Sequence, residues 1–338
     1  MNYVYDRKKR GRIVKINITK QPEDFYLIKN RPNNKYWLKY NFIKNDNSGV
    51  SNVVTSIMML GIFLSILAMI FTIYIPNWAK SGESAHMEKV MDSFLDLKSN
   101  IDKQINNEKD VGTTLSTKIK LGAEGGAIMG IGRTTGSLSF HTSMSNITIY
   151  NTNDSQNIYG QAAGTVNFNS RNLYYSNQDL TYENGGVIVE QSNKAILRAK
   201  PNFDILFSDN KTTVVITLIH LTGTSHNVGG SDYHTIDSKL VQSVERSHEL
   251  IWTPEEGFQN GQNITINITT KFGEIWADLI NDELDDLPGN VKNNTLGNLT
   301  INSHKDPSTD ETIYNVILDL IGIDKLNCKK GITEIKIN

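Results

Sequence analysis

The chain has 338 residues, a net charge of −2 and a single cysteine, Cys328. One cysteine excludes an intrachain disulfide, and a lone cysteine is usually a small buried apolar residue rather than a nucleophile. The near-neutral total conceals a split along the chain. Residues 1–49 carry 12 basic and 4 acidic side chains, residues 50–75 carry none, and residues 76–338 carry 22 basic and 32 acidic ones.

The first 49 residues are polar and basic, which indicates a cytoplasmic segment or an unusually long leader, because a secretory leader has a much shorter region before its apolar core. Residues 12–18 alternate as a strand does and suggest a short hairpin. The basic run at residues 7–12 would also fit a nucleic-acid patch. The apolar segment that follows explains this run better, so no nucleic-acid partner is expected.

An uncharged run of 23 residues begins with Val53 and ends with Ile75. About 20 apolar residues in a helix span a bilayer, and this run lacks the polar face of a soluble helix. We therefore predict a transmembrane helix at residues 50–76, with the lipid bilayer as its partner. Basic residues beside a span stay in the cytoplasm, so we expect a single-pass protein of the cell membrane with its N-terminus inside and its C-terminal part outside.

After Pro76, apolar residues recur every three or four positions over residues 83–107, which predicts an amphipathic helix within a membrane-proximal segment, 77–107. This helix would be a stalk. Its apolar stripe needs a cover, and we favour the outer domain of the same chain over the same helix of another subunit. The stripe consists of Met87, Val90, Met91, Phe94, Leu97 or Lys98, Ile101 and Ile105.

Residues 108–338 contain about ten short segments of period-two alternation, separated by clusters of Asn, Asp, Ser and Gly. This pattern predicts an extracytoplasmic, β-rich domain of antiparallel, sandwich-like build. One helix is expected at about 273–284, and residues 312–320 fit either a strand or a helix. The fold class is therefore α+β, in which a transmembrane helix continues into an amphipathic stalk helix and then a β-rich domain.

Eight N-x-S/T triplets occur, seven of them in the outer part of the chain, where each is a candidate acceptor of an N-linked glycan. Such triplets also arise by chance in a chain rich in Asn and Thr, so we expect only some to be used. The outer triplets begin at Asn146, Asn153, Asn210, Asn263, Asn267, Asn293 and Asn298, and the inner one begins at Asn17.

The sequence from Gly49 to Val54, GVSNVV, resembles the start of archaeal type IV pilin-like envelope proteins. Those proteins begin with Gly-Val-Ser and continue as a long apolar helix with a short Pro-containing break. The resemblance extends through residues 75–97, the segments GSLSF, GGVIVEQ and TLIHLTGTSHNVGG, and residues 274–278, and so covers roughly 49–285. It implies an archaeal, extracytoplasmic, membrane-anchored protein of pilin-like build.

Ser48, the length of the segment before Val50, and Val54 depart from the pilin pattern. Ser48 stands where the usual leader has a basic residue before the glycine, and 49 residues precede Val50 where the usual leader is short. If the chain is cleaved after Gly49, Val54 becomes the fifth mature residue, where a bacterial-type pilin carries Glu. These departures weigh against leader cleavage and filament assembly, but they do not affect the prediction of membrane anchoring.

Three groups of residues are candidate sites of chemistry, and the pattern of each favours a structural role. The glycine-rich run at 122–133 lacks the Gly-Lys-Ser/Thr ending of a phosphate-binding loop. His220, His226 and His234 have no standard metal-ligand spacing. The carboxylates of residues 274–286 do not match a calcium-binding loop, and a solvated helix face is their default interpretation.

The sequence thus predicts a non-enzymatic, membrane-anchored envelope protein of pilin-like build with a structural or interaction role. It predicts no catalytic residues, no cofactor and no metal site. Self-association through the helices is a further expectation, with Gly61 and Ser65 as a close-packing face. The alternatives are a subunit of a pilus-like filament, and a surface adhesin that binds glycans or an enzyme that acts on them.

Overall fold

The computed structural model describes residues 2–4, 14–16, 25–30, 35–40, 48–125, 132–209, 211–249, 262–288, 298–307 and 311–338. The chain divides into two compact units, Met1–Met69 and Ile70–Asn338. The first unit contains two small hairpins and a helix, α1, at Ser48–Met69. Strand β1 (Asn2–Val4) pairs with β2 (Val14–Ile16), and β3 (Phe25–Asn30) pairs with β4 (Lys35–Tyr40), both antiparallel. The alternating residues 12–18, which suggested a hairpin, contain β2, and β2 pairs with β1.

Helix α1 has the character of a membrane span. Among the described residues, one helical segment, Ser51–Asn106, is long and apolar enough to cross a membrane, and its most apolar window has no residue buried within the protein. Exposed apolar side chains on this scale are favourable in lipid but costly in water. The hydroxyls of Thr55, Ser56 and Ser65 donate to the carbonyl oxygen four residues earlier, each at 2.8 Å.

The second unit begins with a π-helical turn, Ile70–Tyr74, followed by helix α2 at Ile75–Asn106. Pro76 lies in the first turn of α2, where a missing N–H leaves no helical hydrogen bond unmade. The sequence pattern placed a helix end at Pro76. The structure instead has a widened turn just before this residue, which is how a helix adjusts to a proline.

The rest of the second unit is β-rich, and the expected α+β class is confirmed at this level. Its strands are β5 (Thr114–Lys120), β6 (Thr135–Asn151), β7 (Asp154–Arg171), β8 (Gln178–Glu183), β9 (Gly186–Gln191), β10 (Lys194–Ala199), β11 (Phe203–Ser208), β12 (Lys211–Thr222), β13 (His226–Gly230), β14 (Tyr233–Glu249), β15 (Gln262–Thr270), β16 (Leu299–Lys305), β17 (Thr312–Ile323) and β18 (Lys325–Ile337); helix α3 is Gly273–Asp285.

These strands form two sheets. The larger has the order β10-β9-β8-β7-β6-β15-β17-β16, with β13 also paired to β6, and the smaller has the order β11-β12-β18-β14-β5. Strands β12 and β18 run parallel. Residues 312–320, which fit either helix or strand by sequence, lie in β17. Val316, Leu318 and Leu320 are buried there on alternate positions, because one face of the strand packs in the core. Strands β15 and β16 pair with its two edges.

Helix α2 is part of the core of the second unit rather than a separate stalk. Its apolar stripe joins one hydrophobic cluster with side chains from both sheets, including Phe140, Phe168, Leu240 and Ile335. A second cluster lies between the sheets and α3. The expected boundary between a helical segment ending at 107 and a domain starting at 108 therefore divides a single packed unit. The cover of the stripe is the same chain, as the sequence favoured.

Candidate functional site

The junction between α2 and the β-sheets contains the most extensive set of specific contacts on the helix. Phe94, Leu97 and Ile101 have no exposed surface, and Met87, Val90 and Ile105 are almost as deeply buried. Met91, which the sequence also assigned to the stripe, is partly buried against the same cluster. Because each buried side chain of this size contributes about 1.5–3 kcal/mol, the helix is firmly held by the sheets.

A buried carboxylate fixes the first half of α2 to the loop between β7 and β8. Glu83 is 3 % exposed. Its Oε1 accepts a hydrogen bond from the backbone N–H of Leu173 at 3.1 Å, and its Oε2 accepts from Tyr174 at 2.8 Å and Tyr175 at 2.6 Å. Hydrogen bonds to an ionised acceptor are stronger than neutral ones. This clamp acts together with hydrogen bonds inside the loop, in which Asn172 contacts Ser176 and Asn177.

A buried amide fixes the last turn of α2. The side chain of Gln104 has no exposed surface. Its Nε2 donates to the carbonyl oxygens of Thr113 at 2.9 Å and Ser238 at 3.0 Å, and its Oε1 accepts from the Ser238 hydroxyl at 3.3 Å. Glu83 and Gln104 are separated by about 31 Å along the helix axis, at 1.5 Å per residue. Polar contacts thus hold both ends of the packed stretch.

Close backbone approach completes the junction at Gly331. A Cβ atom at this position of β18 would lie 2.4 Å from Cγ1 of Ile105 and 2.5 Å from its Cδ1. Only a glycine lets β18 lie directly against the end of α2.

His86 faces the domain one turn beyond Glu83. It is 7 % exposed. Burial lowers the pKa of His86, and the positive charges of Lys120 and Lys89 act in the same direction, while a hydrogen bond with the backbone of Leu121 partly opposes them. The neutral imidazole is therefore the form that the folded protein favours.

A second candidate site is a small polar pocket next to the start of α3. Its volume is about 150 Å³, and its lining includes His141, Asn167, Asp179, Glu183 and Lys271. Burial raises the pKa of Asp179 and also that of Glu183, despite hydrogen bonds to the latter from Thr270, Trp276 and Ser145. Burial alone would lower the pKa of Lys271, but nearby carboxylates, of which Glu190 is the strongest, raise it.

Three carboxylates line this pocket, those of Asp179, Glu183 and Glu311, and the backbone positions of the first two are far apart for a glycosidase pair. Asp179 and Glu183 lie four residues apart on β8, which places their Cα atoms about 13 Å apart on an extended strand. Glycosidases need carboxyl groups about 5–9.5 Å apart. Glu183 also accepts a hydrogen bond from Trp276 Nε1 at 2.7 Å and is fully enclosed. The pocket is smaller than the roughly 300–1,000 Å³ of most ligand sites.

A larger cavity of about 300 Å³ lies near β7 and β18. Cys328 and Lys330 line it beside Tyr159, Gln161 and Gln242. Cys328 is 3 % exposed and packs in the core, as the sequence suggested. The ionisable residues that line this cavity are Tyr159, Cys328 and Lys330, and no carboxylate or histidine is among its lining residues.

The three histidines of the sequence analysis lie on three different strands. His220 is on β12, where its Nδ1 accepts a hydrogen bond from the Ala163 N–H at 3.1 Å. His226 is on β13 and His234 on β14. Among the described residues, no group of three or more His, Cys, Asp or Glu side chains is arranged to hold a metal ion.

The glycine-rich and acidic runs have structural surroundings where they are described. A Cβ atom on Gly122 would lie 2.0 Å from the carbonyl oxygen of Thr134, so this glycine permits close backbone contact. Residues 126–131 of the run lie outside the described residues. On α3, Glu283 pairs with Lys200 at 3.3 Å, and Glu274, Asp278 and Asp282 are on or near the exposed side of the helix.

The glycosylation triplets differ in accessibility. Asn153, in the turn between β6 and β7, and Asn298, just before β16, are exposed. Asn146, Asn263 and Asn267 are half-buried on strands, and Asn17, Asn210 and Asn293 lie outside the described residues. Strand pairing through β15 and β17 places Asn153 and Asn298 at the same end of the larger sheet.

The clamps of α2 were not anticipated from the sequence. Glu83 and Gln104 continue the three-and-four spacing of the apolar stripe: Glu83 precedes Met87 by four residues, and Gln104 follows Ile101 by three. Polar residues in register with an apolar face are the signal that could have indicated buried hydrogen bonds. Their partners, in the β7–β8 loop and on β14, are separated from them by 90 or more residues for Glu83 and by 134 for Ser238, so no local pattern identifies them.

These features define a class of protein: a single apolar helix followed by a β-rich domain whose core includes a second, amphipathic helix. The chain belongs to a family of unknown function, DUF7289, whose sequence profile matches residues 49–313. No curated protein and no solved structure matches the chain. The matched region includes α1, α2 and most of the β-rich domain.

Proposed function

We propose that this protein is a non-enzymatic, membrane-anchored component of the cell envelope, built like an archaeal type IV pilin and acting as a structural or interaction element. The observation that carries the proposal is the difference in burial between α1 and α2. The apolar residues of α1 have no cover within the protein, whereas the following helix is fixed in the core of a β-rich domain.

The proposed orientation places the basic N-terminal segment in the cytoplasm and residues 76–338 outside. The net charge of +8 before the span and none within it supports this orientation through the positive-inside rule. The position of the exposed triplets also supports it. Thr135 and Arg171 pair at the end of the larger sheet that is next to the start of α2. Asn153 and Asn298 lie at the opposite end of this sheet, so glycans on these two residues would point away from the bilayer.

Protease protection of the full-length chain in intact cells tests the orientation. The expected result is loss of a tag placed after Asn338 and protection of a tag placed before Met1. Protection of both tags, or loss of the N-terminal tag alone, would contradict the proposal. Mass measurement of the purified protein then tests glycans at Asn153 and Asn298 through Asn→Gln variants, with Asn263→Gln as the half-buried control.

A subunit of a pilus-like filament is the first alternative. It requires processing, and mass spectrometry of the mature N-terminus distinguishes the two: a chain that begins at Val50 favours a filament, and an intact Met1 favours a simple anchor. The small residues Gly61 and Ser65 on α1 provide the close-packing face for self-association. Unchanged self-association of Gly61→Leu would contradict that role.

A glycan-binding adhesin or a glycan-active enzyme is the second alternative. The small volume of the Asp179 pocket and the enclosure of Glu183 weigh against a sugar in that site. Binding of the full-length chain in detergent to a glycan array would support an adhesin. A fragment starting at residue 108 is unsuitable for this test, because it lacks α2 and so leaves the core open.

A further inference from the structure

The loop at residues 172–177, between β7 and β8, exposes apolar side chains at the end of the domain where α2 begins. Leu173 is 62 % exposed and Tyr174 is 43 % exposed. Soluble domains hide most large apolar side chains, and adjacent exposed ones mark an interaction surface. The three hydrogen bonds that the loop backbone donates to Glu83 hold the loop in this form, so the exposure is part of an ordered structure.

The position of Glu83 places this loop close to the membrane surface. Glu83 follows Ile75, the last residue of the apolar run, by eight residues, which is about 12 Å along the helix. Helical side chains tilt toward the N-terminus, so the carboxylate and the bound loop lie nearer to the bilayer than that. The headgroup layer adds about 5–8 Å to each side of the hydrocarbon core, and the side chains of Leu and Tyr reach several ångströms further.

The residues around the loop have the chemistry of a lipid interface. Trp78, on the first turns of α2, is exposed, and Trp and Tyr concentrate at membrane interfaces. Lys80 shares a shallow groove with Tyr175 and with one acidic residue, Glu88. Arg171 immediately precedes the loop and is exposed. Its strand partner is Thr135, and Arg133, two residues before Thr135, is exposed as well. This basic edge belongs to a segment, residues 76–338, whose net charge is −10.

We propose that the loop at 172–177 is a second membrane contact, in which Leu173 and Tyr174 insert among the lipid headgroups of the leaflet from which α2 emerges. Lys80, Arg133 and Arg171 bind anionic headgroups beside it, because basic side chains close to the surface are attracted to anionic lipids. This inference rests on the proposed membrane anchor. Its consequence is that the domain meets the bilayer at two places, so that its tilt relative to the membrane is restricted.

Site-specific fluorescence of the full-length chain in vesicles of phosphatidylcholine and phosphatidylglycerol tests the contact. An environment-sensitive probe is attached at Leu173→Cys, and lipids carrying a spin label at the headgroup level act as quenchers. Cys328 is buried and stays in place, with the unsubstituted chain as the labelling control. The expected result is a blue-shifted emission and a loss of intensity with the spin-labelled lipid.

Leu206→Cys is the matched control, because Leu206 is exposed to a similar extent, 53 %, but lies at the other end of the domain. It pairs with Thr213, which pairs with Lys325. Lys325 starts β18 six residues before Gly331, the residue that contacts the end of α2. A probe there is expected to show neither the shift nor the quenching.

A probe at Ile62→Cys, within α1, reports on the anchor itself through quenching by lipids labelled deep in the acyl chain. If Ile62 is quenched but Leu173 behaves like Leu206, the loop contact is refuted and the anchor stands. A blue shift at Leu173 without lipid quenching means that protein, such as a second copy of this chain, covers the loop, which also refutes it. If Ile62 is not quenched, the anchor fails and the loop contact with it.

Discussion

Helices α1 and α2 are both rich in apolar residues, yet they are stabilised by different surroundings. The side chains of α1 are exposed almost throughout, and its apolar residues occupy every face of the helix. In α2 the apolar residues form one stripe, and eleven residues, most of them apolar, are buried. An apolar surface on all sides needs lipid or other subunits around it, whereas a single stripe needs one partner surface. The difference explains why only α2 belongs to the core of the β-rich domain.

The largest expected effect comes from charges within α1. Replacing both Ile62 and Ile66 with Asp places two carboxylates near the bilayer centre and adds about 5–7 kcal/mol to the cost of insertion. We expect most of the protein to be released by alkaline carbonate extraction. The control replaces Leu95 and Ile301, which are exposed in the second unit, with Asp. Equal release of both double variants would contradict a membrane-spanning α1.

Phe94 and Phe63 offer the most direct test of the two environments. Phe94 has no exposed surface, whereas Phe63 is 60 % exposed. Phe94→Ala removes a fully buried ring and should lower the free energy of unfolding of the β-rich unit by about 3–5 kcal/mol. Phe63→Ala should leave that free energy unchanged. The measurement is urea unfolding in detergent, followed by the β-sheet circular dichroism signal, and similar midpoints for both variants would overturn the contrast.

The Glu83 clamp should have a smaller and more local effect. Glu83→Gln keeps the size of the side chain but removes the charge that accepts three backbone hydrogen bonds, so we expect a loss of about 1–3 kcal/mol. Hydrogen–deuterium exchange at Leu173, Tyr174 and Tyr175 should become faster. Glu88→Gln, which alters an exposed carboxylate on the same helix, is the control. Unchanged exchange in the Glu83 variant would show that the loop does not depend on the clamp.

The smallest effect concerns pH. Because burial lowers the pKa of His86, the unfolded chain binds this proton more readily than the folded one. Its contribution to stability is therefore present above the ordinary histidine pKa of about 6.5 and is lost as the pH falls through that value toward the lowered one. His220 acts with the same sign, and the buried Glu183 with the opposite sign.

Comparison with a variant isolates the share of His86. Urea midpoints at pH 7.5 and pH 5 should differ less in His86→Gln than in the unsubstituted chain. His141→Gln is the control, because it changes a half-buried histidine that lines the small pocket. If the pH dependence of the His86 variant matches that of the unsubstituted chain, then His86 does not contribute to it.

Local patterns predicted much of this fold. The strands of the outer region follow from alternation, because successive residues of a strand face opposite sides of the sheet. The helix at Gly273–Asp285 follows from its three-and-four spacing. Residues 312–320 were ambiguous, since a short apolar run fits both structures. Only pairing with β15 and β16 resolves it. Strand β16 is the preceding strand, but the residues of β15 are more than 40 positions away, as Thr269 is from Asn315.

The sequence by itself determined the apolar run of α1, the charge split on its two sides and the amphipathic character of α2. These depend on hydrophobicity and charge, which are properties of contiguous residues. Only the tertiary structure decided what covers the stripe of α2, why Glu83 and Gln104 lie within it, and that Leu173 and Tyr174 lie beside its start. Those features depend on which segments, distant in sequence, pack against the helix in the folded protein. The local spacing of residues does not specify such contacts.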